Sequence, residues 1–521
     1  MEANLQVTIA MTLYIAMVIG IGVYYAKRAS KSSDHFLIGG RSLGPWVTAM
    51  AAEASDMSGW LLMGLPGVAY WYGLGDAAWT AIGLAIGTYL NWLFVAKRLR
   101  VYSHVAGDAI TIPDFLSNRF REDKKIILTI AALFILVFFT VYAASCFVTV
   151  GKLFSKLFGA KYVYMMIAGA VFVVLYTFVG GFLAESASDF MQGLIMFFAL
   201  SAVLIFGISH AGGLKAVIAN AKAIPGFFDF FGMAQPKVAN GVQQVSAGGQ
   251  ALFGQPAKYG LLTIISTLSW GLGYFGMPHV LLKFMAIEKH DELTRSRRIA
   301  VVWVIISLTA AVGIGIIGRI LFPTQLPTQS QAENIFVIMS MDFFLPFIAG
   351  IVMAGILAAT ISSSDSYLLI AASSLSKNIY QGILKKEASD RQVLIVTRIT
   401  LLLVALVAIF IALDENSIIF TVVSFAWAGF GATFGPIMLF SLFWKRVTRT
   451  GAIAGMVTGG SMVFIWKLLI RPLGGIFDIY ELLPAFLLSC IAIVITSYLT
   501  AEESEEIQEE FELVRKSVVS A

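Results

Sequence analysis

The chain has 521 residues, of which 58% are hydrophobic and 13% charged. Soluble domains carry about a quarter charged residues, so this composition excludes a large soluble domain and predicts a polytopic membrane protein surrounded by lipid bilayer. The net charge of +5 does not imply a nucleic-acid partner, because the Lys and Arg sit in short loops between apolar stretches.

Thirteen stretches approach the ~20 apolar residues that a bilayer-crossing helix needs. They lie near 6–26, 45–67, 72–96, 127–155, 161–181, 188–210, 258–282, 299–320, 343–376, 393–413, 417–443, 451–470 and 483–500. The first follows Met1-Glu2-Ala3-Asn4, lacks a basic flank and is too long for a signal peptide. The loops richest in Lys and Arg follow odd-numbered spans. They carry Lys27, Arg28, Lys31 and Arg41 after the first span, and Lys97, Arg98, Arg100, Arg119, Arg121, Lys124 and Lys125 after the third. Lys289, Arg295, Arg297 and Arg298 follow the seventh, Lys385, Lys386 and Arg391 the ninth, and Lys445, Arg446 and Arg449 the eleventh. The positive-inside rule then puts the N-terminus outside and the C-terminus in the cytoplasm of a multi-pass cell-membrane protein.

Residues 211–257, rich in Gly, Gln, Ala and Phe, read as an outside excursion with a short helix that covers a gate. The tail from Ala501 to Ala521 is acidic and helix-favouring, and too short for a kinase or nucleotide-binding domain. No G-x-x-x-x-G-K-[ST] loop occurs, which argues against an ATP-driven motor in this chain. Cys146 and Cys490 fall in apolar spans and read as small core residues. The five histidines form no metal-ligand spacing, and no cofactor is expected. Gly83-x-x-x-Gly87 and Gly451-x-x-x-Gly455-x-x-x-Gly459 read as close-packing faces, and Trp46, Trp71, Tyr72 and Trp444 as interface anchors.

Three polar or broken segments interrupt this apolar pattern. Glu53-Ala54-Ser55-Asp56-Met57-Ser58-Gly59-Trp60 places two carboxylates, two hydroxyls and a glycine inside the second span. Charge at that depth needs a partner or a purpose, and Ser-Asp-x-Ser-Gly is poor helix sequence. It reads either as a kinked packing helix with a polar face or as a break whose free carbonyls hold a cation. Thr360-Ile361-Ser362-Ser363-Ser364-Asp365-Ser366 interrupts the ninth span. Hydroxyls there could merely bond the carbonyl one turn back, but hydroxyl and carbonyl oxygens also suit a hard cation such as sodium. Ser269-Trp270-Gly271-Leu272-Gly273-Tyr274-Phe275-Gly276-Met277-Pro278 lies in the seventh span. Trp270, Tyr274 and Pro278, four apart, would make one helical stripe, either core or a binding surface on a broken helix.

The motifs Ala54-Ser55-Asp56-Met57-Ser58-Gly59-Trp60-Leu61-Leu62-Met63-Gly64-Leu65-Pro66-Gly67 and Trp270-Gly271-Leu272-Gly273-Tyr274-Phe275-Gly276-Met277-Pro278-His279 resemble the sodium/solute symporter family, and most closely its sodium/proline branch. Thr177 to Phe182 and Ile356 to Ala359 extend the resemblance over nearly the whole chain. It implies an all-α, LeuT-type fold with two inverted five-helix repeats at 45–210 and 258–444. A first helix and loop would occupy 1–44, the excursion 211–257, two peripheral helices 445–500 and the cytoplasmic tail 501–521. It also implies sodium-coupled import of L-proline by alternating access, with sodium co-transported, no catalysis and no obligatory protein partner. Sodium ligands implied by motif position are the carbonyls of Ala54, Met57 and Ala359 and the hydroxyls of Ser362 and Ser363. Ser363 stands where the branch often has Thr, and Glu53 and Asp365 fall outside the pattern. Asp56 would act close to sodium. Asp189 would be either a helix-capping residue or a transient sodium stop. Substrate would meet Ser58, Trp60, Gly64, Tyr142, Trp270, Tyr274 and Pro278. The alternatives are symport of another small solute, such as pantothenate or a short carboxylate, and a membrane sensor module.

Overall fold

The computed structural model describes residues 2–29 and 37–520. Lys31 lies outside them, as do the side chains of Lys27 and Arg28. Ten helices among the described residues are long and apolar enough to cross a membrane. The other three expected spans are present as interrupted or shorter apolar helices, so the all-α polytopic class holds. In chain order the principal helices are α1 (Glu2–Ala29), α2 (Pro45–Gly59), α3 (Leu65–Tyr72), α4 (Leu74–Leu90), α5 (Ile126–Phe158) and α6 (Tyr162–His210). Then come α7 (Leu261–Leu268), α8 (Pro278–Ala286), α9 (Leu293–Leu321), α10 (Pro346–Ser373), α11 (Asp390–Ile411) and α12 (Ile419–Phe443). The last are α13 (Arg449–Ile465), α14 (Leu482–Leu499) and α15 (Glu505–Ser520).

The fifth and sixth expected spans share the helical backbone of α6. Tyr176 Oη lies 2.7 Å from Ser188 Oγ, twelve residues on. A straight helix would separate them by ~18 Å, so α6 bends sharply between its limbs Tyr162–Phe178 and Phe182–His210. The 211–257 excursion holds the expected short helix, Leu214–Ala223, but also two small antiparallel pairs that its sequence pattern does not announce. These join Gly232–Met233 to Ala257–Lys258 and Val238–Ala239 to Val242–Gln243.

The basic loops meet at one end of the bundle. Arg41 donates to the carbonyls of Met285 and Ala109, each at 2.7 Å, and Arg100 to that of Ile287 at 2.8 Å. Helix α15 docks at the same end. Its acidic edge meets Arg121 through Glu506 and Glu510, while Ile507, Phe511 and Val514 are buried. Trp46 is half exposed, as an interface anchor would be, but Trp71 is buried among neighbouring helices.

Helix α10 lies at the centre and is buried along nearly its whole length. Small residues let the helices around it approach. The Gly83/Gly87 face meets the broken seventh span backbone to backbone: a Cβ on Gly87 would stand 2.3 Å from the carbonyl oxygen of Gly271. The Gly451/Gly455/Gly459 face packs in the same manner on α14 and on the backbone of Ala432. Backbone cannot swing aside as a side chain can, so replacing Gly87 by Val should cost about 1–3 kcal/mol or more. Thermal unfolding of the purified variant in detergent should show a lowered midpoint and a smaller membrane yield. An unchanged midpoint would mean that the contact yields.

Candidate functional site

The second span is broken, but later than its sequence suggests. Residues 54–57 remain helical, and the irregular residue is Ser58, with φ 47° and ψ −170°. A non-glycine residue in the left-handed region costs about 1–3 kcal/mol and persists only where its surroundings enforce it. Here Ser58 Oγ accepts from the Trp60 amide at 3.2 Å, and that amide also turns to the carbonyls of Met57 and Ser58. A regular helix would have given it to Asp56. The Asp56 carbonyl instead faces the phenols of Tyr142 and Tyr367, each 3.4 Å away. Gly59 permits the close pass of α5, because a Cβ there would stand 2.4 Å from Thr149.

Opposite the break, the hydroxyls of α10 divide into two kinds. Thr360 and Ser364 bond back one turn, to Ile356 and Thr360, as idle helical hydroxyls do. Ser362 reaches across to the carbonyl of Ala54 at 2.9 Å and also donates to Ala359 at 3.1 Å. Ser363 Oγ is buried without a hydrogen-bond partner. Three of the five expected sodium ligands are thus brought together, the carbonyls of Ala54 and Ala359 by the Ser362 hydroxyl, with an unsatisfied hydroxyl on the next residue. The Met57 carbonyl lies at the end of the same helical turn and accepts from Trp60.

Asp56 projects to the other side of the break. Its carboxylate accepts from Tyr274 Oη at 2.7 Å and lies 3.2 Å from His279 Nε2. Asp56, Met57, Trp60, Tyr142, Trp270 and Tyr274 line one small cavity, which Trp427 of α12 also borders. Trp60, Trp270 and Phe420 cluster beside it with ring centres 5.3–5.7 Å apart, Trp60 stacked on Phe420 and Trp270 tilted to both. Four of the seven expected substrate residues therefore meet. Ser58 serves the break itself, and Gly64 packs behind Trp60 and against the Phe420 backbone. Pro278 is not in this wall. Residues Ser269–Gly276 form a 3-10 helix and Met277 is extended, so spacing by four does not produce a stripe. Pro278 instead starts α8 and lines a separate cavity with Ile112 and Leu282.

Asp189 is neither at a helix start nor a cap. It lies within α6 and shares Lys283 with Glu185: Lys283 Nζ is 2.6 Å from Glu185 Oε1, 3.2 Å from Asp189 Oδ2 and 3.1 Å from Ser186 Oγ. Ser366 of α10 donates to the same Glu185 oxygen at 2.5 Å, and Asp365 accepts from the Ser366 amide at 2.8 Å. One oxygen each of Asp189 and Asp365 is buried without a partner. Glu53 accepts from the Trp92 indole at 2.9 Å. Sequence reasoning missed His279, Tyr367, Glu185 and Lys283. Only His279 and Lys283 carried a signal, as polar residues one helical turn apart in an apolar run.

A family model described as "SSF: Sodium:solute symporter family" matches residues 36–459. "Sodium/proline symporter 2" of Staphylococcus saprophyticus is 40% identical to this chain over 523 residues, covering 99% of this chain and 97% of that protein. A "Sodium/proline symporter" of Staphylococcus aureus gives the same identity and coverage. Among solved structures, an outward-open, substrate-bound sodium-coupled sialic acid symporter superposes with TM-score 0.76 at 18% identity, covering 96% of this chain and 99% of that one. MhsT in complex with L-phenylalanine gives TM-score 0.52 at 14% identity, covering 87% and 97%. These likenesses establish the LeuT-type fold.

The Lys283 cluster has a consequence for stability. Removing one partner of a buried ion pair typically costs about 3–5 kcal/mol, because the other charge is left uncompensated. Lys283→Met should therefore lower the thermal midpoint strongly, and adding Glu185→Gln should recover part of the loss. A single variant as stable as the parent would show that water already reaches the cluster.

Proposed function

The chain belongs to the sodium:solute symporter family, and we propose that it imports L-proline with sodium by alternating access. One observation carries the reading: Asp56 and Met57 border the cavity while the same helical turn supplies the carbonyls that face α10. Sodium would take the carbonyls of Ala54, Met57 and Ala359 and the hydroxyls of Ser362 and Ser363, a hard set for a hard cation. The Ser362 proton now bonded to Ala54 would turn away, and an ion would join α2 to α10. If sodium there raises the affinity of the adjoining cavity for proline, proline raises the affinity for sodium by the same factor, because coupling between two sites is reciprocal. Inward sodium movement adds about 2.3 kcal/mol per charge for each 100 mV of membrane potential.

Proline's ring would pack against Trp60, Trp270 and Tyr274, and its carboxylate would meet backbone N–H groups at the start of the segment after Ser58. Burial of so small a ring contributes about 1.5–3 kcal/mol. A longer or charged solute would lack room or leave polar ends unpaired. The gathered basic loops and α15 would face the cytoplasm, with the 211–257 excursion outside. Asp189 would be a transient stop for the ion on its inward path.

Counterflow of labelled proline in proteoliposomes, with and without sodium, tests the function. Uptake should need sodium and be competed by proline but not by pantothenate or acetate; failure of proline to enter or compete would end the substrate assignment. Ser362→Ala combined with Ser363→Ala should raise the sodium concentration for half-maximal uptake at least tenfold, and an unmoved value would remove α10 from the ion site.

The two aspartates should separate by readout. Asp56→Asn weakens the acceptor for Tyr274 and removes the charge beside the ion, so uptake should fall to a few per cent, with Asp56→Glu retaining more. Asp189→Asn should slow turnover while leaving equilibrium proline binding within about twofold. Wild-type transport by the first, or normal turnover by the second, would reduce that aspartate to a structural part.

A further inference from the structure

Trp270, in the wall of the proposed substrate cavity, is backed by a residue from far along the chain. Its ring stacks on Tyr480, with centroids 5.0 Å apart and planes inclined by 23°. Tyr480 belongs to the connection between α13 and α14, the pair of helices that lies outside the two expected repeats. It is buried and held at both ends. Its amide donates to Ser266 Oγ of α7 at 2.7 Å, and its phenol donates to the Ser424 carbonyl of α12 at 2.7 Å.

These two anchor points are the elements that furnish the aromatic wall. Helix α7 runs directly into the segment bearing Trp270 and Tyr274. Helix α12 bears Phe420 and Trp427, and the Trp427 indole donates to the Trp270 carbonyl at 2.8 Å. The connection itself is pinned by the next residue. Glu481 is fully buried and takes Lys467 and Arg471, each at 3.1 Å. Space-filling alone would not call for a stacked ring, two polar anchors and a buried ion pair at one turn.

We propose that Tyr480 is a positioning residue for substrate recognition: through Trp270 it sets the aromatic surface on which the solute packs. This rests on the reading of the Asp56–Trp270 cavity as the proline site. It assigns the α13–α14 connection a part in affinity for the solute and none in binding the ion, since Tyr480 contacts neither α2 nor α10 among its bonded and stacked partners.

The experiment compares Tyr480→Leu, Tyr480→Phe and the parent in proteoliposomes. Measured are KM and kcat for proline, and sodium affinity without proline. Loss of one aromatic pair should raise KM for proline about three- to tenfold in Tyr480→Leu. Sodium affinity and kcat should stay within twofold, and Tyr480→Phe, which keeps the ring, should restore KM. If Tyr480→Leu does not reach the membrane, Tyr480→Trp overfills the same stack and should shift KM alone. An unchanged KM, or parallel losses in KM, sodium affinity and thermal stability, would make Tyr480 ordinary packing. If the parent itself fails to take proline, the substrate reading falls and this proposal with it; if the parent transports and the variants match it, only this proposal falls.

Discussion

Everything near the centre of this molecule answers one constraint: the second span stops being a helix at Ser58, deep among apolar helices. Backbone carbonyls released there cannot turn to water, and an unpaired polar group in such surroundings is costly. The structure meets the demand from three directions. Ser362 covers the Ala54 carbonyl, Tyr142 and Tyr367 approach that of Asp56, and the Trp60 amide folds back on Met57 and Ser58. Because Ser362 and Tyr367 come from α10 and Tyr142 from α5, the break ties α2, α5 and α10 into one unit.

The broken seventh span is built on the same principle and faces the first break. Its 3-10 turn brings Tyr274 to Asp56, and the turn's end at Met277 lets α8 carry His279 to the same carboxylate. One further turn along α8, Lys283 reaches Glu185, which Ser366 of α10 also contacts. The two sides of the molecule are therefore joined twice, once beside the cavity and once deeper along α8. A rotation of α8 relative to α2 and α6 would strain both junctions together. That is the mechanical content a coupling between ion and solute requires.

Much of this was legible in the sequence because it appears there as an anomaly. Polar residues in an apolar span stand out, and so Ser362, Ser363, Asp56 and the neighbourhood of Ser58 were identifiable before any coordinates. Contacts that rest on local geometry were not. Periodicity assumes a regular helix, and spacing by four fails where the chain is a 3-10 turn, which is why Pro278 lines a different cavity from Trp270 and Tyr274. Tyr367 looks like ordinary core until Tyr142 is seen stacked on it at 4.2 Å. Tyr480 lies in a connecting segment with no motif at all. The bend in α6 was readable as two spans, but the bond between Tyr176 and Ser188 that marks it was not.

The charges add a reason why a cation should be the coupled ion. Glu53, Asp56, Glu185, Asp189 and Asp365 are all buried, and Lys283 answers two of them. Glu333 has its own partners in Lys152 and in the amides of Ile419 and Phe420 at the start of α12. A cation entering among the buried carboxylates would find oxygen acceptors, and any carboxylate ionised beside it lowers its free energy. Proline, a zwitterion with no net charge, would be held by packing against Trp60 and Trp270 while the oxygen-rich face of α10 takes the ion. The division of labour follows from composition: aromatic rings sit where the solute would be, and the carboxylates of Asp56, Glu185 and Asp189 meet α8 through His279 and Lys283.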